Sequence, residues 1–280
     1  MQMLKPRATL VNFTPKILET IYWAQRVQKE PVADDLDQIT REVSRETLKE
    51  TFRGVLKDRL SPFLEYIGMV WKAENVSRAL QQQWTRSRIG WAFSIQSLRV
   101  VPLESFADKG FYHCPASVKD KAAYHSAMEV IQEAYNSMLG SGETVQDARG
   151  ILPLNVYSTI TASCNLKSFI DLINKRMCLK TQGEFQYLCQ LMQREVELKL
   201  DKVIADAIGE PCRFGPCILI PENEQQLKEA KYEGKSNTDH CCPLYVKLGL
   251  SEKHPEWKRV QQWKESVHSR GQKTEDEVMK

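Results

Sequence analysis

Between Gln83 and Arg99 the chain reads QWTRSRIGWAFSIQSLR, and this stretch limits the possible fold more than any other. Arg86, Arg88 and Arg99 share it with Trp84, Trp91, Phe93 and Ile95. Arginine is seldom buried without a partner. Guanidinium groups in apolar company need carboxylates or anions to accept their hydrogens. Phe93 and Ile95 alternate with Ser94 and Gln96, which predicts a strand with one apolar and one polar face. Taken alone, the segment reads as an edge strand whose basic face is solvated.

The chain has 280 residues, enough for one large domain or two small ones. A hydrophobic content of 42% with 27% charged residues fits a globular protein. The 39 basic residues are nearly balanced by 36 acidic ones, and a net charge of +3 argues against a nucleic-acid binder. No apolar run is long enough to span a bilayer, so no membrane partner is expected. The opening MQMLKPRATLVNF lacks the apolar core of an export signal. Eight cysteines without such a signal favour free thiols or metal ligands, and place the protein in a reducing cytoplasm.

Period and punctuation then divide the chain. Thr9 to Phe13 reads as a strand, and Pro15 opens a helix with Ile17, Ile21 and Ala24 on its apolar side. Residues 30–45 form a loop or a short surface helix, and a helix follows at 46–60. Tyr66 to Trp71 reads as a strand, and Asn75 to Trp84 as a helix capped by Asn75 or Ser77. After a loop at 104–116, Ser117 to Leu139 is an amphipathic helix closed by Gly140. A further helical region near Thr144 stops at Pro153. Helices at about 163–176 and 181–207 complete the main body, the second ending before Gly209 and Pro211.

A second group of candidate residues lies downstream. Arg149 stands among Ala148, Ile151, Leu152 and Leu154. On the helix after Cys164, Phe169, Ile170 and Ile173 form a buried face, Asn165, Lys167 and Asp171 lie elsewhere, and Arg176 is in the last turn. By itself a basic residue there is often only a partner of the helix dipole.

Taken together, these segments resemble the flavin-dependent thymidylate synthases, the thymidylate synthase-complementing family. That family carries an SRA and a Gln before an Arg-His-Arg, then spaced Ser, Asn, Ser and Arg. Here Ser77-Arg78-Ala79, Gln83, Arg86-Ser87-Arg88 and Phe93 to Arg99 follow in that order. Downstream, Ala148-Arg149, Leu152-Pro153, Asn165-x-Lys167, Lys175-Arg176 and Thr181-Gln182-Gly183-Glu184 parallel the remaining motifs, so the likeness spans roughly residues 8–207. It implies an α/β fold of the α+β kind, a mixed and mostly antiparallel sheet flanked by helices. Residues 1–207 would be the catalytic domain, and residues 208–280 a Cys-rich extension with a charged C-terminal helix.

The resemblance also implies a chemistry. One carbon would pass from methylenetetrahydrofolate to C5 of dUMP, giving dTMP. FAD would supply the hydride, NADPH the reducing equivalents, and no enzymatic cysteine would attack the base. Gln83, Arg86, Ser97, Leu98, Arg99, Arg149 and Arg176 would bind dUMP, with Arg176 catalytic through stabilisation of negative charge on the uracil ring. Ser87, Arg88, Ile89, Asn165, Lys167 and Asp171 would hold FAD. The assembly implied is a homotetramer with sites shared between subunits, so that Arg86 and Arg149 serve a neighbour's nucleotide.

Several positions depart from the family pattern. Ser87 stands for the His of Arg-His-Arg, one residue is inserted at Gly90 or Trp91, and Lys167 replaces an Arg. An upstream Leu-Glu-His motif is Leu64-Glu65-Tyr66, and Lys180 stands in place of a His. The losses fall mainly on the flavin side. They open two other readings: a dUMP 5-hydroxymethylase, in which water captures the methylene adduct, and a catalytically inactive nucleotide-binding relative.

The cysteines beyond residue 210 form a separate candidate. Cys212 and Cys217, with Cys241 and Cys242 next to His240, are capable of a tetrahedral zinc site, although their spacing is looser than a CxxC pair and favours free thiols in a small appended lobe. Cys114, Cys164, Cys178 and Cys189 read as packing residues. His113 and His125, each near aromatic residues, read as hydrogen-bonding histidines.

Overall fold

In a computed structural model of the protein, residues 4–29, 35–57, 62–178 and 181–209 are described. One unit takes in the described residues up to Cys114 and from Ala122 on. Its centre is a four-stranded sheet of β1 (Arg7–Phe13), β2 (Gly68–Ser77), β3 (Trp91–Ile95) and β4 (Tyr157–Asn165), in the order β1-β2-β4-β3. Every neighbouring pair is antiparallel.

The strand pattern divides the sheet into two faces. Met69, Trp71 and Ala73 of β2 and Ile160, Ala162 and Cys164 of β4 point into the main core. Thr161 and Ser163 stand on the opposite, exposed face. On β3, Trp91 and Phe93 stack in parallel planes against the edge of Trp84. This is the edge strand expected from the alternation of Phe93 and Ile95 with polar residues. At the other edge, the backbone N–H of Leu10 donates to Glu195 Oε2 at 3.0 Å, while its carbonyl accepts from Lys199 Nζ at 2.7 Å. These contacts engage backbone groups that would otherwise be open to another strand.

Nine helices are described, most of which pack residues into the main core. They are α1 (Ile17–Val27), α2 (Leu36–Glu42), α3 (Arg45–Lys57), α4 (Arg78–Trp84), α5 (Lys121–Gly140), α6 (Val145–Ala148), α7 (Leu166–Arg176), α8 (Gly183–Lys199) and α9 (Lys202–Ala205). Trp71 and Phe169 stack at 5.0 Å and join β2 to α7. A second, smaller core gathers Leu98, Phe106, Tyr112, Met128 and Val156. No described helix is long and apolar enough to cross a membrane.

The structure corrects five readings of the sequence. Strand β4 was not anticipated; Thr159, Ile160 and Thr161 favour a strand, but the inward Ala162 and Cys164 and the outward Ser163 are small, so the apolar–polar alternation is faint. The helix expected from 163 therefore starts at Leu166, with Asn165 as its cap, accepting from Ser168 N at 2.8 Å. Asn75 is not a helix residue: it sits at a bulge of β2 with φ +54°, a left-handed conformation Asn tolerates. Ser77 is the true cap of α4, its Oγ accepting from Leu80 N at 3.0 Å. The helix expected over 181–207 breaks at the extended Leu200, and Asp201 caps α9. Finally, α5 begins at Lys121, four residues later than Ser117.

Candidate nucleotide and flavin site

The two strand-to-helix junctions lie at opposite ends of the sheet. Ser77 pairs with Tyr157 at one end and Gly68 with Asn165 at the other. Helix α4 therefore leaves one end of β2, and α7 leaves the far end of β4. The first turn of α8 ties both helices together. Glu184 accepts from Ser77 at the start of α4, Gln182 accepts from the side-chain amide of Gln83 near its end, and Phe185 underlies Arg176 at the end of α7.

A basic cluster forms around Gln146. Arg99 Nε donates to Gln146 Oε1 at 2.8 Å, and Arg149 Nε donates to the Gln146 carbonyl at 3.1 Å. Arg78 belongs to the same region and bonds Gln81 Oε1 at 3.0 Å. Its guanidinium is pushed below the ordinary arginine value, first by burial and then by the positive field of Arg149. Two guanidinium groups that repel each other leave a strong potential for an anion. No described carboxylate forms an ion pair with Arg78, Arg99 or Arg149. Sequence reading passed over Arg78 as a site residue. The signal was available, since SRA lies one helix before the Arg-rich segment, but its proximity to Arg149 across 71 positions was not.

Ser97 is exposed, and its Oγ accepts from Arg99 N at 3.2 Å. Leu98 is buried in the smaller core. Arg176 sits with its guanidinium carbon 5.0 Å from the Phe185 ring centre, and its buried Nε has no hydrogen-bond partner among the described residues. Gln83 is half-buried. Arg86 and Arg88 are exposed in the turn after α4, Ser87 is half-buried, and Ile89 is almost fully exposed.

The turn carrying Ser87, Arg88 and Ile89 meets the start of α7 through Gly90. The Gly90 carbonyl accepts from Asn165 N at 3.3 Å. Gly90 has φ +69°, and a Cβ there would lie 2.1 Å from Ser168 Oγ and 3.0 Å from Asn165 Nδ2. Only glycine fits this close approach. The residues expected to hold FAD are thus brought to one end of the sheet, although Asn165 Oδ1 is already engaged in capping and Lys167 Nζ donates to Asp171 at 2.8 Å. A cleft of about 720 Å³ opens at the same end, lined by Asn12, Phe13, Gly68, Gly90, Trp91 and Ser163 among others. With Arg88 and Lys167 near the first turn of α7, these residues fit an anionic dinucleotide.

The structure does not bring all seven expected dUMP residues into one place. Strand β3 runs between the turn at 86–90 and the segment at 97–99, and its five residues span about 13 Å. Arg86 therefore lies at one end, and Ser97, Arg99 and Arg149 at the other.

Burial raises the Cys164 and Cys189 thiols and keeps them protonated. Burial likewise pushes the Tyr157 phenol up, and it lowers the His113 imidazole against an opposing pull from Glu184. His125 Nδ1 is hydrogen-bonded to the Tyr112 hydroxyl. No group of three or more potential metal ligands occurs among the described residues. Cys212, Cys217, Cys241 and Cys242 lie outside them.

Residues 9–200 match the family model described as thymidylate synthase complementing protein. The flavin-dependent thymidylate synthase of Geobacter sulfurreducens is 27% identical over 216 residues, 75% of this chain and 90% of that one. The enzyme of the same name from Nitratidesulfovibrio vulgaris is 28% identical over 239 residues, covering 80% and 95%. Among solved structures, flavin-dependent thymidylate synthase from Helicobacter pylori, complexed with FAD and dUMP, aligns with a TM-score of 0.57 at 18% identity, covering 72% of this chain and 99% of that one. The UMP/dUMP methylase PolB from Streptomyces cacaoi aligns with a TM-score of 0.56 at 19% identity, covering 73% and 95%. At those identities the two structures share the fold. With its family match extending over residues 9–200, the chain belongs to the thymidylate synthase complementing protein family.

Proposed function

We propose that this protein is a flavin-dependent methyltransferase that converts dUMP to dTMP, with methylenetetrahydrofolate as carbon donor and NADPH as reductant. The observation that carries the reading is the guanidinium cluster of Arg78, Arg99 and Arg149, free of described carboxylate partners, together with Arg176 and its unbonded Nε. A nucleotide monophosphate brings about two negative charges, which suits such a cluster.

In this reading Arg99, Arg149 and the Ser97 hydroxyl grip the phosphate. Gln83 and Arg176 meet the uracil, where the fixed positive charge of Arg176 stabilises electron density gathering on the ring. FAD, when bound, supplies the hydride. Arg88, Lys167 and Asn165 hold its anionic part, with Ser87, Ile89 and Asp171 beside them. The protonated thiols of Cys164 and Cys189 agree with chemistry that needs no cysteine nucleophile.

The separation of Arg86 from Arg149 supports a homotetramer in which each site draws residues from more than one subunit. The thiols of Cys164, Cys178 and Cys189, free among the described residues, agree with a reducing cytoplasm. Residues 1–207 are proposed as the catalytic domain. The zinc site on Cys212, Cys217, Cys241 and Cys242 is a separate proposal, tested by metal analysis of protein purified without chelator.

The deciding experiment incubates the protein with dUMP, methylenetetrahydrofolate, NADPH and FAD and identifies the product by mass spectrometry. Formation of dTMP supports the reading. A 5-hydroxymethyl-dUMP product assigns the alternative motivated by Ser87 and the Gly90 turn. Binding of dUMP without turnover identifies an inactive relative.

A further inference from the structure

Glu184 is 4% exposed, yet it carries a carboxylate in the first turn of α8. A buried carboxylate needs donors on both oxygens. Here both come from one residue: Ser77 N donates to Oε1 at 2.7 Å and Ser77 Oγ donates to Oε2 at 2.5 Å. The same Ser77 hydroxyl accepts from Leu80 N, so its single proton is committed to Glu184 and one of its two lone pairs to the helix. The hydroxyl has one orientation left, and the start of α4 is fixed to α8.

The consequence falls on the candidate site. Arg78, one residue after Ser77, carries a guanidinium in the field of Arg149. Gln83, in the last turn of the same helix, is bonded to Gln182, two residues before Glu184. Phe185, one residue after Glu184, supports Arg176 and also packs against Trp84 of α4. One turn of α8 therefore sets three groups of the nucleotide site, and the Ser77–Glu184 pair is its buried, charged anchor. A hydrophobic pair would hold the two elements together without fixing their register to the hydrogen-bond scale.

We propose that Glu184 is a positioning residue of the nucleotide site, acting through Ser77 to hold α4 so that Arg78 and Gln83 meet the ligand. The proposal rests on the reading of that site as a dUMP site. Glu184→Gln leaves an amide that cannot accept on both sides. Ser77→Ala leaves one carboxylate oxygen buried without its donor.

The test uses the full chain and measures dUMP dissociation constants, KM and kcat for the wild type, both single variants and the double variant. Each single variant is expected to bind dUMP about tenfold more weakly, with KM rising and kcat changing far less, as loss of ground-state positioning requires. The double variant is expected to be no worse than either single one, because the two residues act as a unit. Folded single variants that bind dUMP within about twofold of wild type overturn the proposal. Amide exchange over residues 78–84 is followed in parallel, without ligand. If the wild type fails to bind dUMP, the functional reading falls, and exchange then decides the rest. Faster exchange in Glu184→Gln upholds the anchoring of α4, and unchanged exchange overturns it.

Discussion

The guanidinium carbon of Arg176 lies 5.0 Å from the centre of the Phe185 ring, and its Nε is buried with no described hydrogen-bond partner. The ring holds the cation by its face and uses none of its N–H groups. Its terminal N–H groups, which no described residue accepts, stay available to an acceptor on a ligand, which is what a group stabilising transient negative charge requires.

Replacing Arg176 by Lys keeps the charge but loses the planar fork. We expect kcat for dTMP formation to fall by about 10²–10³, in line with removal of one preorganised donor. Phe185→Leu should cost less than about tenfold, because it loosens the arginine without removing it. Steady-state kinetics at saturating cofactors check both values. A kcat in Arg176→Lys within threefold of wild type would remove Arg176 from the catalytic role.

Arg149→Gln tests the phosphate assignment. The variant should weaken dUMP binding by roughly tenfold or more, since one charge-assisted fork is lost. Deoxyuridine, which has no phosphate, should be affected far less. The ratio of kcat/KM for the two compounds reads this directly. An unchanged ratio means that the phosphate binds elsewhere.

Gly90→Ala places a Cβ 2.1 Å from Ser168 Oγ on a backbone with φ +69°. The strained backbone alone costs about 1–3 kcal/mol, and the clash adds to it. Urea denaturation should report that loss, and Ser168→Gly in the same chain should recover part of it. A loss below about 0.5 kcal/mol, the size of an ordinary surface change, would sink the claim that the turn is held against α7.

The buried thiols give stability a pH dependence of known sign. Burial raises Cys164 and Cys189 above their ordinary value of 9.0. As pH passes that value, the unfolded chain ionises while the folded chain remains protonated, so the unfolded state gains. The contribution is complete below pH 9.0 and is lost as pH rises. Melting temperature should therefore fall more steeply above this value in the wild type than in the Cys164→Ala, Cys189→Ala variant. Equal slopes would show that other groups set the alkaline limit.

Legibility in the sequence followed side-chain size. Strand β3 was readable because Phe93 and Ile95 alternate with polar residues, and α7 because Phe169, Ile170 and Ile173 define a buried face. Strand β4 was not, because the small Ala162, Ser163 and Cys164 blunt the alternation that Ile160 and Thr161 begin, and pairing on both sides completes its strand character. Asn75 looked like a helix cap because its side chain suits one, but the bulge in β2 gave the cap to Ser77.

The sequence by itself determined which residue types the site could contain: arginines spaced through apolar segments, in an order that resembles one enzyme family. It also determined that Ser87 and the inserted turn depart from that family, because these are statements about identity and order. The tertiary structure decided which of those arginines meet. It brought Arg78 into the field of Arg149, set Arg176 on Phe185, and placed Arg86 at the opposite end of β3 from Arg99. Distances between residues far apart in the chain follow from strand pairing and from anchors such as Ser77–Glu184, and no local pattern encodes them.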